Sequence, residues 1–169
     1  EQPFDYPRPA VQDSEGAALQ FEIGGPEKEA LNRIALEENV TMFVVLLAVY
    51  EILLSKLSGR EDLVIGSPVA GRGHADLERV IGMFVNTLAI RSFPEGGKTF
   101  NEFLGEIKKT TLEAFENQDY AFEDLVDGLG DKINRDMGRN PVFDVVFLWQ
   151  NVNEPGKAKG QRKSDENLQ

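Results

Sequence analysis

Cysteine is absent from this chain of 169 residues, and there is a single histidine, His74. Without cysteine there is no disulfide framework, no thiolate metal site and no cysteine nucleophile. The absence agrees with a reducing, cytoplasmic setting. One imidazole leaves little room for a histidine-based metal site or a Ser/His/Asp triad, each of which would need it in one particular place. It lies in AGRGHADLERV (70–80), a polar, glycine-rich loop, and reads as a solvated loop residue. Positive charge is also scarce: 18 Lys and Arg face 29 Asp and Glu, for a net charge of −11. Such a surface repels nucleic-acid phosphates and anionic bilayers, so neither nucleic acid nor membrane is an expected partner. Long apolar runs are missing as well. The longest, MFVVLLAVY (42–50), stops at Glu51, well short of the roughly 20 residues that span a bilayer. The first ten residues, EQPFDYPRPA, hold no apolar signal-peptide core.

What is present suffices for one domain with a real core, since 41 % of the residues are hydrophobic. Residues 1–16 are Pro-rich and polar and read as an extended linker or arm. Residues 17–151 carry the patterned sequence. Residues 152–169 are polar, with a basic cluster at Lys157, Lys159, Arg162 and Lys163, and read as a mobile loop or tail.

Within the patterned part, AALQFEI (17–23) predicts a short strand. Pro26 suits a first helical position and Glu27 and Glu29 the positive end of the dipole, with Leu31, Ile34 and Ala35 as the apolar stripe and Asn39 as a stop. Thr41 caps a second helix, Met42 to about Leu57, which is apolar almost all round and is therefore expected to be buried. LVIGSPVAG (63–71) predicts a strand apolar on both faces, with Pro68 pointing to an edge or a strand end. IGMFVNTLAIR (81–91) alternates from Phe84, placing Asn86 on the same face as Phe84, Leu88 and Ile90. Thr99 and Glu102 form a capping box for a helix to about Glu116. A short helix starts at Asp119 or Tyr120 and closes at Gly130. VFDVVFLWQ (142–150) predicts a last strand with Phe143, Val145, Phe147 and Trp149 on one face. The order β-α-α-β-β-α-α-β makes an α/β two-layer sandwich with a mixed sheet and a buried helix against it.

Motif physics alone discloses no reaction. GSPVAGRG lacks the spacing of a phosphate loop, and Ser67 sits in IGSPV rather than in a nucleophile elbow, so it reads as a strand serine bonded to backbone. Glu123, Asp124 and Asp127 read as a solvated acidic face, and no metal site is expected. Arg135, Asp136, Arg139 and Asp144 could form an ion-pair network bracing the last strand, with Asp144 paired if buried. Asn86 has two readings: an amide that ties neighbouring backbone together, or a group facing a cavity.

Three segments, in this order, resemble one family, the condensation domains of nonribosomal peptide synthetases: IGMFVNTLAIR (81–91), NQDYAFEDLV (117–126) and RDMGRNPVFDVVF (135–147). They are similar to the family's IGxFVNTxxxR, [HN]QD[YV]PFE and RDxSRNPLFxVxF. Weaker similarity runs through 5–16, 41–72 and LWQN (148–151). Two departures are small: Ala121 stands where the family has Pro, and Gly138 where it has Ser. The larger one is that the active-site signature HHxxxDG has no counterpart here.

The resemblance implies the C-terminal lobe of a chloramphenicol-acetyltransferase-like fold, in which two lobes enclose a tunnel. In such domains an acceptor amine attacks a donor thioester, both delivered on the 4′-phosphopantetheine of peptidyl carrier proteins. It implies, as partners, the N-terminal lobe, the carrier domains and an adjacent adenylation domain, and, as context, antibiotic or secondary-metabolite synthesis. It implies no catalytic residue in this stretch, which alone would be inactive. Asn86, Thr87, Ser67, Gln118 and Arg139 are the candidates for tunnel or inter-lobe contact. Gly82, Phe84, Arg91, Asp119, Phe122, Arg135, Asp136, Asn140, Pro141 and Asp144 are expected to be structural members of the motifs. A non-catalytic carrier- or domain-docking module, or a lobe of a carrier- or CoA-dependent O-acyltransferase, are the alternatives. An isolated lobe would expose an apolar inter-lobe face and is expected to self-associate.

Overall fold

The computed structural model describes residues 16–73, 75–133 and 139–150. The linker 1–15, His74, Arg135, Asp136, Gly138 and the tail from 151 onward lie outside them.

Helix α1 spans Gly25–Glu37 and α2 spans Met42–Ser58. Pro26 opens the first, where its missing amide leaves no bond unmade. Asn39, the one described non-glycine residue with positive φ (50°), turns the chain between them. The Thr41 hydroxyl accepts from the Val44 amide at 3.4 Å, and Gly59 ends α2 in the left-handed conformation at φ 67°. Strands β1 (Leu63–Val69) and β2 (Asn86–Ser92) follow, separated by a 3₁₀ turn at Ala75–Arg79. Then come α3 (Phe100–Glu116), α4 (Phe122–Leu129), a 3₁₀ turn at Gly130–Lys132 and β3 (Val145–Val146). The Thr99–Glu102 capping box forms in full.

The sheet is mixed, in the order β2-β1-β3. Strand β1 pairs antiparallel with β2 (Ile65 opposite Ile90) and parallel with β3 (Ile65 opposite Val145). Helices α2 and α3 pack together, and α3 on β2, around a core of Val45, Leu47, Ile65, Ile90, Leu104 and Ile107. This is the expected two-layer α/β architecture. No single described helix is long and apolar enough to cross a membrane.

Five expectations need correction. Residues 17–23 form no strand: the segment has no ladder partner among the described residues, and Leu19 and Phe21 are exposed. Alternation supplies a strand's faces but not the neighbour that makes it a strand. Helix α2 is not buried all round, because Val49, Leu53 and Leu57 lie on an open side. The last strand is short, and its alternation holds only in part: Phe143 is buried and Val146 and Leu148 are exposed, but Trp149, expected on the inner face, is exposed too. Helix α4 starts at Phe122 rather than at Asp119 or Tyr120, its first amide being capped by Asn86 from β2.

Pro68 lies in the central strand and not at an edge, but it is the last residue but one of β1, so the strand-end reading holds. In the parallel register the Phe147 amide donates to the Gly66 carbonyl at 2.8 Å. The next bond would run from residue 68 to the Phe147 carbonyl, and proline has no N–H to give. The Ser67 hydroxyl donates to that carbonyl instead, at 3.1 Å. Ser67 thus replaces the donor that Pro68 removes, and β1 keeps its place between two neighbours.

Glu51, which interrupts the apolar run, is not on the open side of α2. It is fully buried. Among the described residues neither carboxylate oxygen has a hydrogen-bond partner, nor does the buried Ser92 hydroxyl at the end of β2. Burial raises its pKa from 4.5 to about 8, opposed only by the nearby Ser92 hydroxyl, whose contact falls short of a full hydrogen bond.

Gly66 fixes how closely β1 is approached. A Cβ there would stand 2.5 Å from the Phe143 ring. Gly66→Ala is expected to displace Phe143 and destabilise the fold by about 1–3 kcal/mol, read as a lowered urea midpoint with an unchanged slope. An unaltered midpoint would show that the ring is free to move aside.

Candidate functional site

The motif residues come together at one end of β2. The chain enters this strand through a clamped loop. Arg72 donates to the carbonyls of Leu77, Val80 (2.9 Å) and Gly82 (3.1 Å), and its guanidinium lies 4.6 Å over the centre of the Phe84 ring. Gly71, at φ 61°, has no room for a Cβ, which would overlap the Phe84 carbonyl oxygen. The loop is held rigidly, yet it presents Ile81, Met83 and Val85 to solvent.

Asn86 is the first residue of β2 and uses its whole side-chain amide. Its Nδ2 donates to the carbonyls of Gln118 (2.7 Å) and Tyr120 (2.8 Å). Its Oδ1 accepts from the amides of Thr87 (2.8 Å) and Phe122 (3.1 Å). One side chain therefore ties the sheet to the whole turn between α3 and α4 and caps the first amide of α4. Ala121 precedes that helix with φ −64° and no side-chain cap, so Asn86 supplies the cap that the local sequence lacks.

From α4 the contacts pass to the last motif. The Phe122 ring lies 5.4 Å from that of Phe143, which in turn fills the space left by Gly66. The Asn140 side chain accepts from the amides of Val142 (2.9 Å) and Phe143 (3.1 Å), an Asx turn that aims the ring inward. Arg139 pairs with Asp144 at 3.6 Å, with side chains 26 % and 16 % exposed. That leaves one member pair of the anticipated ion network in place, Arg135 and Asp136 lying outside the described residues.

The remaining candidates are placed as follows. Thr87 is half-buried and lines an open cleft of about 390 Å³ with Leu88, Ala114, Tyr120 and Leu125. Ser67 borders a second, more apolar cleft of about 540 Å³ between Phe43, Phe115 and Trp149. Gln118 contributes its backbone carbonyl to Asn86. Asp119 lies beside Gly73, its Oδ1 being 3.9 Å from where a Cβ of that residue would stand. Gly82 accepts from Arg72, and Pro141 lines a small cavity with Arg139 and Asp144. Arg91 forms a two-pronged pair with Asp62 (2.8 and 2.9 Å) that holds the carboxyl below its usual value, but both side chains are more than half exposed and the pair adds little stability. Among the described residues no group of three His, Asp or Glu could hold a metal ion. Sequence reasoning missed the Arg72 clamp and the fit of Phe143 on Gly66. The signals were a lone arginine after Ala-Gly and a glycine in mid-strand.

The chain has relatives among known proteins. The profile of the Condensation domain family matches residues 2–169. The chain belongs to the condensation-domain family. It is 53 % identical over 152 residues to gramicidin S synthase 2 of Brevibacillus brevis, covering 90 % of this chain and 3 % of that protein. With surfactin synthase subunit 1 of Bacillus subtilis it shares 52 % over 151 residues, which are 89 % of this chain and 4 % of the relative. A four-domain nonribosomal peptide synthetase, crystallised with AMP and glycine, superposes with a TM-score of 0.85 at 33 % identity over 90 % of this chain and 11 % of that one. The condensation-domain sequence thus spans only a small part of the relatives it matches, and the fold is that of their condensation domains.

Two substitutions separate the parts of the brace. Asn86→Ala removes four hydrogen bonds and leaves half-buried groups unpaired, and is expected to destabilise by about 2–3 kcal/mol. The isosteric Asn86→Asp should do comparable damage, because a carboxylate cannot donate to the two carbonyls. Ala121→Pro installs the family's residue at a φ that proline already favours, and the Ala121 amide makes no described hydrogen bond. It should stabilise by about 0.4–1 kcal/mol. Thermal midpoints check all three, and a destabilising Pro would show that the turn needs that N–H.

Proposed function

We propose that this chain is the acceptor-side lobe of an amide-forming condensation domain within a nonribosomal peptide synthetase. In the reaction the acceptor's amine nitrogen bonds to the donor's thioester carbon. The carbon–sulfur bond breaks, the donor carrier's thiol departs, and the amine gives up its proton. The acceptor and donor would each arrive on 4′-phosphopantetheine held by a carrier protein. This lobe supplies one wall of the tunnel, and the N-terminal lobe with its HHxxxDG signature supplies the histidine. Asn86, Thr87, Ser67, Gln118 and Arg139 stand as the candidates for tunnel or inter-lobe contact, with the apolar cleft between Phe43, Phe115 and Trp149 as the candidate wall. The adenylation domain is the expected neighbour along the polypeptide.

The observation that carries this reading is the family match over the whole chain together with the convergence of the three motifs on one brace. A sequence without HHxxxDG but with an intact brace suits a lobe that frames the reaction without performing its proton chemistry. Mixing this chain with a separately made N-terminal lobe and loaded donor and acceptor carrier proteins tests it by intact mass. Condensed thioester is expected only in the complete mixture. Product from the N-terminal lobe and carriers alone would remove this lobe from the chemistry and overturn the proposal.

A further inference from the structure

The least expected group in the core is Glu51. It sits in the middle of α2, on the side that faces the sheet, flanked one turn away on either side by the buried Leu47 and Ser55. A fully buried carboxylate without a partner is tolerated only when paired or neutral. Among the described residues no pair is available. On α2 the Ser55 hydroxyl donates to the Pro94 carbonyl at 3.4 Å, and Lys56 is exposed. On β2 the neighbour is the Ser92 hydroxyl, while adjacent Arg91 is taken by Asp62. On α3 the buried side chains are Phe103, Leu104, Ile107 and Thr111, and Lys108 reaches the Glu38 carbonyl at 3.3 Å. Lys98 before α3 is held by Glu95 at 3.5 Å and Glu106 at 2.9 Å. Among the described residues no charged group contributes to the environment of Glu51, which is set by burial and by Ser92.

We propose that Glu51 is stored in the core as a neutral carboxylic acid and acts as an alkaline-side release between α2 and the end of β2. Loss of its proton places an unpaired anion at the seam beside Ser92 and favours opening there. The seam also carries the Ser55–Pro94 bond, and it borders the groove between the end of α2 and the start of α3. Opening would therefore loosen the seating of α3 without touching Asn86. The inference is independent of the proposed reaction, since it concerns packing within the lobe.

The sign follows from linkage. A carboxyl with a folded pKa of about 8 and an ordinary value of 4.5 stabilises the fold fully below 4.5. That contribution fades as pH rises, up to tenfold in the folding constant per pH unit, and is gone above about 8. The test compares thermal midpoints of the wild-type chain, Glu51→Gln and Glu51→Met between pH 5 and 9. Carbon-13 NMR of the glutamate side-chain carboxyls runs alongside. The wild-type midpoint should fall with pH more steeply than either variant, so that the curves converge or cross on the alkaline side. One glutamate carboxyl resonance, absent in Glu51→Met, should titrate far above the others. Amide protection at Ser92 and around Ser55, corrected for intrinsic exchange, should fall between about pH 5 and 8 and level off above that, in the wild type only. Parallel midpoint curves for the three proteins would overturn the proposal, as would a Glu51 resonance titrating with the surface glutamates. If Glu51→Gln does not fold, Glu51→Met and the resonance still decide it.

Discussion

One primary amide fixes the relation between the sheet and the second helical pair. Asn86 has two donors and an acceptor with two lone pairs, and all four capacities are used on backbone groups of a single turn and its neighbours. Those bonds decide where α4 begins. Because Phe122 is the first residue of α4, they also decide where its ring stands, and with it the packing of Phe143 on β1. A shift in the turn between α3 and α4 would propagate to the entry of β3. The three segments that mark the condensation-domain family are thus parts of one mechanical object, joined by an amide, a ring pair and a glycine.

The central strand is a second example of one irregularity answering another. Strand β1 contains glycine, serine and proline in succession, which propensity disfavours in a sheet interior. Gly66 opens space for Phe143, Pro68 removes a ladder donor, and the Ser67 hydroxyl between them restores it. A single substitution at Ser67 would leave the Phe147 carbonyl without its donor, whereas replacing Ser67 and Pro68 together by alanines would return a main-chain amide to the ladder. The run Gly-Ser-Pro is therefore coherent as a unit, although each member looks wrong alone.

Much of this was legible in the sequence, and the division follows the range of the interactions. Most helix starts and stops came through because their causes are local: Pro26, Asn39, the Thr41 cap and the Thr99–Glu102 box act within one turn of the chain, whereas the start of α4 depends on Asn86 from β2 and was placed two or three residues early. The family resemblance placed the fold and the motifs. What escaped depends on distant partners. Residues 17–23 alternate like a strand but have no described neighbour. Pro68 left an edge and a strand end both open, because its substitute donor, the Ser67 hydroxyl, could not be foreseen. Both readings of Asn86 were open, since only the fold brings residues 118–122 against it. The alternation in 142–150 gave the right faces as far as Phe147 but not for Trp149, and could not say how far pairing extends.

Asn86 and Glu51 show two ways of placing a polar group inside a fold. The amide, at the rim of the core, meets every one of its hydrogen-bonding capacities and so holds one arrangement in place; such saturation favours uniqueness over adaptability. The carboxyl, at the centre, meets none and can remain only by keeping its proton. The first makes the turn between α3 and α4 stiff at any pH where the protein folds. The second makes the seam between α2 and β2 conditional on proton activity. They act at opposite ends of one strand, Asn86 opening β2 and Ser92, the neighbour of Glu51 on α2, closing it. Strand β2 is therefore anchored at one end by geometry and at the other by protonation, and loosening on the alkaline side should begin at Ser92 and leave the motif brace for last.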